Sequence, residues 1–91
     1  MLQLTADNFK TEAEEAAGPV YIEFSPVPAG AELLEKQYGM RYKFCRVDPA
    51  AQRELTKRFH LLRLPSAVVL KDGKIVQRIN GAPEDLEKVL S

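Results

Sequence analysis

Ninety-one residues, 45% hydrophobic and 29% charged, are enough for one small soluble domain and too few for two. Thirteen basic and thirteen acidic residues cancel to a net charge of zero, which leaves none of the charge excess that would point to nucleic acid, a membrane surface or an acidic partner. A single cysteine excludes an internal disulfide and any cysteine-based metal spacing, and no apolar run approaches a membrane span. The opening Met1-Leu2-Gln3-Leu4 lacks the basic and apolar regions of a signal peptide. The expected compartment is therefore a reducing cytoplasm; if the chain is a piece of a longer protein, a leader could precede it.

Leu2-Gln3-Leu4 is a short candidate strand. Thr5 reads as the N-cap of a helix that runs to about Ala17, where Gly18-Pro19 stops it. Val20 to Phe24, rich in β-branched and aromatic residues, reads as a strand. A second helix is expected from about Ala29 to Tyr38, closing at Gly39. A strand follows from Tyr42 to Val47, with Asp48-Pro49 as its turn. Ala50 to Phe59 reads as a helix with Leu55 and Phe59 four residues apart on one face. Ser66 to Lys71 and Lys74 to Asn80 are strands joined by Asp72-Gly73, a strong two-residue hairpin signal. A last helix is expected from about Pro83 to Leu90, with Leu86, Val89 and Leu90 facing inward. The order βαβαβαββα implies three parallel strands joined by right-handed crossovers, then an antiparallel hairpin and a helix. The fold class is α/β: a central mixed sheet flanked by helices, in one domain over residues 1–91.

Two segments carry a family resemblance. Tyr21-Ile22-Glu23-Phe24-Ser25-Pro26-Val27-Pro28-Ala29-Gly30-Ala31-Glu32 is an apolar strand that ends in Phe and runs through Pro and Gly into a helix. Leu62-Arg63-Leu64-Pro65-Ser66 leads through Ala67-Val68-Val69-Leu70-Lys71 into the hairpin Asp72-Gly73. With Gly81-Ala82 and the separation between Asp48 and Pro65, these resemble the thioredoxin family over nearly the whole chain. The resemblance implies a thioredoxin-like fold with Pro65 at the cis-proline position. Two departures stand out. Thioredoxins carry Trp-Cys-Gly-Pro-Cys where no register of this chain places a cysteine, and the stretch from Phe24 to Tyr38-Gly39 is about two helical turns shorter. Ala29 and Glu32 fall at the matching cysteine positions, and neither supplies the attacking thiolate or resolving thiol of disulfide exchange.

The remaining candidate residues each have a structural and a functional reading. Cys45 lies mid-strand, opposite in face to Phe44 and Arg46, as a small buried hydrophobe or as a monothiol centre. Glu23 and Arg46 match, through the resemblance, a buried acid that relays protons and a nearby buried lysine. With no thiol to serve, they read as an ion pair setting strand register, or as a base for other chemistry. Pro65 either shapes the turn into its strand or, as the resemblance implies, lets Leu64 present its backbone to an extended peptide. Pro26, Val27, Pro28, Ala29, Leu64, Pro65 and Gly81, with Ala82 beside them, would form the apolar rim that contacts partners in the family. The same prolines also serve simply to close a shortened loop. His60 reads as a loop residue rather than a ligand, and Glu12, Glu14 and Glu15 as a solvated helix face. The five glycines are dispersed and make no phosphate-binding loop.

Two functions from different classes follow. One is a redox-inactive thioredoxin-like module that binds a protein or extended peptide at the Pro65 loop and the remnant active-site loop, with no cofactor, metal, nucleic acid or membrane. The other is a relative of thiol-disulfide oxidoreductases with weak monothiol activity at Cys45 or a thiol borrowed from a partner. Weak self-association, or docking onto a neighbouring domain, is the related outcome for the apolar rim. Exposure of Cys45 separates the two.

Overall fold

Val20–Phe24 (β2) alternates Val20, Ile22 and Phe24 on one face with Tyr21 and Glu23 on the other, and all five are buried. A strand buried on both faces belongs at the centre of a covered sheet. In the computed structural model, which describes residues 1–26, 31–61, 64 and 66–80 (31–33 and 80 by backbone alone), β2 is indeed central. The sheet has five strands in the order β1-β3-β2-β4-β5, with β1 at Leu2–Gln3, β3 at Lys43–Val47, β4 at Ser66–Lys71 and β5 at Lys74–Asn80. β1 and β2 flank β3 in parallel, while β4 runs antiparallel to β2 and to β5. The mixed five-stranded sheet with its helices is compatible with an α/β thioredoxin-like fold. The helix expected at Pro83 to Leu90 lies outside the described residues.

The two faces carry separate apolar layers. On one, Ile22, Phe24, Cys45 and Val68 meet Phe9, Leu55 and Phe59. Phe59 sits between Phe24 at 5.1 Å and Phe9 at 5.6 Å, the latter edge-on. On the other, Tyr21, Phe44, Ala67, Val69 and Ile79 meet Leu34 and Tyr38 of α1 (Ala31–Tyr38). The rings of Tyr21 and Phe44 are 4.8 Å apart. Each fully buried Val, Leu, Ile or Phe contributes on the order of 1.5–3 kcal/mol, so the two layers together provide most of the drive to fold.

The helices depart most from expectation. Thr5 does cap its segment: its hydroxyl accepts from the Asp7 amide at 3.2 Å, and the Asn8 side-chain oxygen accepts from the Thr5 amide at 2.7 Å. The segment is not one α-helix to Ala17, however. It passes through turns and then widens into a π-helix over Lys10–Glu14, where the Glu15 amide reaches back to the Lys10 carbonyl at 2.9 Å. Only Phe9 and Ala13 are buried here, and Glu12 and Glu15 stand three apart with like charge, so little favours a long regular helix. The expected helix from Ala50 to Phe59 contracts to α2, Arg53–Lys57. At its start the Asp48 carboxylate accepts from the Ala50 amide at 3.0 Å and holds a turn. At its end Arg58, Phe59 and His60 donate three residues back instead of four.

The strand edges move less. Leu4 falls outside β1 although its amide still donates to the Arg46 carbonyl at 2.8 Å. Tyr42 belongs to the turn before β3, because its amide returns to Tyr38 at 3.0 Å. Gly39 closes α1 by close approach: a Cβ there would collide with the Glu35 carbonyl. The hairpin is a two-residue turn with Asp72 at φ 54° and Gly73 at φ 78°, as the Asp-Gly pair demands.

Candidate functional site

Register decides which candidates share an end of the sheet. Phe24 pairs with Val47 on one side and Ser66 on the other, and Ser66 pairs with Asn80. The chain therefore leaves β2 toward Pro26, enters β4 from Leu64 and leaves β5 toward residue 81 at a common end. Pro26 and Leu64 are exposed there, Leu64 at 45%. Val27, Pro28, Ala29, Pro65 and Gly81 lie outside the described residues, as does the geometry of the Leu64–Pro65 bond.

Beneath that end lies a small polar cluster. Glu23 and Arg46 are directly opposite in the parallel register, and the Arg46 Nε is 3.7 Å from the Glu23 Oε1. Their side chains are 3% and 12% exposed, so the charges meet largely out of water. The Arg46 Nη2 donates to the Ser25 carbonyl at 2.9 Å, and the Ser25 hydroxyl donates to the Glu23 Oε1 at 3.2 Å. A charge-assisted hydrogen bond of this kind contributes about 1.5–3 kcal/mol. Ser25 is the member that reading the sequence missed. Its signal was present, since residue 25 stands two places after Glu23 and alternation returns it to the same face. Nearby Tyr21 is buried, and that desolvation, with the Glu23 charge second, holds its hydroxyl well above the ordinary tyrosine range.

Cys45 points to the opposite layer, in the company of Val47, Leu55 and Phe59. It is wholly buried, and desolvation pushes its thiol up to about 11. The thiolate fraction at pH 7 is then on the order of one part in ten thousand. His60, after α2, is exposed with φ 51°, in the left-handed region that a branched-ring side chain adopts at some cost. The acidic residues expected on a solvated face do more than that: Glu12 pairs with Lys43 at 2.6 Å and Glu14 with Arg58 at 2.9 Å, tying the π-helix to β3 and α2. Among the described residues, no group of three His, Cys, Asp or Glu is arranged to hold a metal ion, and no helix is long and apolar enough to cross a membrane.

A cleft of about 410 Å³ opens at the far end of the sheet, between residues 16–19 and 39–43. It lies where β2 and β3 begin, remote from Pro26 and Leu64. The Met40 side chain stands fully in solvent at its rim, and the Arg41 guanidinium lies 5.8 Å from the Tyr42 ring centre.

No protein-family model matches the chain. It is similar to thioredoxin C-2 of Corynebacterium nephridii, 26% identical over 92 residues that cover 91% of this chain and 85% of that protein. It is also similar to a thioredoxin of Acetoanaerobium sticklandii, 29% identical over 87 residues covering 87% of this chain and 83% of that one. Both similarities run nearly end to end and support a thioredoxin-like family for the chain.

Proposed function

We propose that this thioredoxin-like chain is a protein- or peptide-binding module that performs no disulfide exchange. The observation that carries this reading is the state of its single thiol. Cys45 is wholly buried, its pKa is pushed up to about 11, and it lies in the apolar layer opposite the Glu23–Arg46 cluster. Disulfide exchange needs an accessible thiolate and a second thiol to resolve the mixed disulfide. A monothiol chemistry needs at least the first, and burial opposes it. The binding half of the reading rests on the convergence of Pro26, Leu64 and the end of β5 at one end of the sheet. An extended segment laid along the backbone at Leu64–Pro65 would gain main-chain hydrogen bonds and cover the exposed Leu64 and Pro26. The partner is a protein or peptide in extended conformation, no cofactor is involved, and a cytoplasmic setting fits the single reduced cysteine.

The test is a titration of the isotope-labelled chain with a permanently unfolded, S-carboxymethylated polypeptide, followed by backbone NMR. The reading requires perturbations grouped at Ser25, Leu64 and Ser66, with Cys45 inert to a thiol reagent in the folded protein. A response centred on residues 39–43 would move the binding site to the far cleft. Rapid modification of Cys45 without unfolding would return the redox reading.

A further inference from the structure

We propose that Arg46 is the positioning residue of the face at the ends of β2 and β4. Its guanidinium fixes the Ser25 carbonyl and so the direction in which the chain leaves β2 toward Pro26; its link to binding rests on the function proposed above.

The first observation is where the bond falls. β2 ends at Phe24, so Ser25 is the first residue past the paired strand, and it is buried. Arg46 donates to its carbonyl at 2.9 Å from the neighbouring strand. The second observation is that Ser25 is held twice. Its hydroxyl turns back to the Glu23 carboxylate at 3.2 Å while its carbonyl is held by Arg46, the residue directly opposite Glu23. The hydroxyl and the carbonyl of Ser25 are therefore both tied to a single cross-strand pair. The third is the ranking of Arg46's own contacts. Its guanidinium approaches the Glu23 carboxylate at 3.7 Å, well short of its 2.9 Å contact with the carbonyl. The carboxylate supplies the opposite charge that lets Arg46 stay largely buried, and the forked donor set holds the backbone. A lysine ammonium keeps the charge as a single point and cannot span both groups in the same way.

The variants Arg46→Met, Arg46→Lys and Val47→Ala separate positioning from plain stability. Val47 is on the same strand with its side chain in the opposite layer, so its truncation weakens the fold without touching the cluster. Two readouts are used: affinity for the S-carboxymethylated polypeptide, and the carbon-13 carbonyl shift of Ser25. Arg46→Met should weaken probe binding by about tenfold and displace the Ser25 carbonyl shift. Arg46→Lys should recover part of both, and Val47→Ala should leave both near the parent. Parent-like binding and an unmoved Ser25 shift in a folded Arg46 variant overturn the proposal, as does a loss in Val47→Ala equal to that in Arg46→Met. Should the parent chain ignore the probe, the binding function fails on its own. The Ser25 shift in Arg46→Lys, which retains the charge needed to fold, then still decides whether Arg46 holds the end of β2.

Discussion

At the scale of single residues, Cys45 links burial to a pH dependence that can be measured. Its folded pKa is raised to about 11 by desolvation, above the ordinary thiol value near 9. Between these two values the unfolded chain has released a proton that the folded chain still holds, so stability falls as pH rises through that window. The contribution is fully present below pH 9 and is gone above the folded pKa. Tyr21 acts in the same direction at still higher pH, so the thiol must be isolated by comparison with a variant. Urea midpoints measured from pH 8 to 11 should decline more steeply for the parent than for Cys45→Ala. Parallel declines would remove the thiol as the cause. His60 offers a second residue-scale prediction. With φ at 51° it adopts a conformation that glycine takes freely, so His60→Gly should stabilise the fold by about 0.5–1 kcal/mol despite the added freedom of the unfolded chain. A urea midpoint at or below the parent's would show that the ring makes a compensating contact.

At the scale of elements, what could be read from the sequence follows the reach of the interactions that fix each one. The β4–β5 hairpin was fully legible because a two-residue turn demands two positive φ values, and Asp72-Gly73 meets that demand locally. β2 was legible because a run of apolar residues bounded by Gly18-Pro19 and Pro26 has few other uses. The helix limits were not, since they depend on contacts distant in sequence for one helix and on particular turn hydrogen bonds for the other. The π-helix at Lys10–Glu14 is tied to Lys43 and Arg58, and α2 is trimmed by an Asp48 side chain and a three-residue closing turn. The same distinction runs through the candidate site. Cys45's face and the Glu23–Arg46 juxtaposition follow from alternation and register, whereas the hold of Arg46 on the Ser25 carbonyl depends on a side-chain conformation that neither of them fixes. One aromatic shows how much a short helix depends on its packing. Phe59 follows α2 and lies between Phe9 and Phe24, and its carbonyl accepts from the Arg78 guanidinium of β5. Phe59→Ala should therefore cost about 3–5 kcal/mol, enough to leave so small a domain largely unfolded at moderate urea. A loss below about 1 kcal/mol, read from equilibrium unfolding, would mean that the layer closes over the gap.

At the scale of the whole molecule, one sheet is shared by two apolar layers, one on each face, and this raises the question of whether they unfold together. Each layer contains its own reporter. The three tyrosines, the only tyrosines in a chain without tryptophan, belong to one side: Tyr21 and Tyr38 are in its core and Tyr42 packs against it. The single thiol, Cys45, belongs to the other. β2 and β3 contribute alternate side chains to both, so unfolding either layer exposes the apolar backs of the same strands to water. That shared cost should make the two layers one cooperative unit, as in most domains of this size. Tyrosine emission and Cys45 modification by a thiol reagent, followed across one urea series, should then give coincident midpoints. A thiol that becomes reactive well before the tyrosine transition would place a local opening at the Phe9–Phe59 side, where the short π-helix and α2 provide the cover. The reverse order would locate the weak layer beneath α1, the element that follows the proposed binding loop, and would tie partner binding to the stability of that layer.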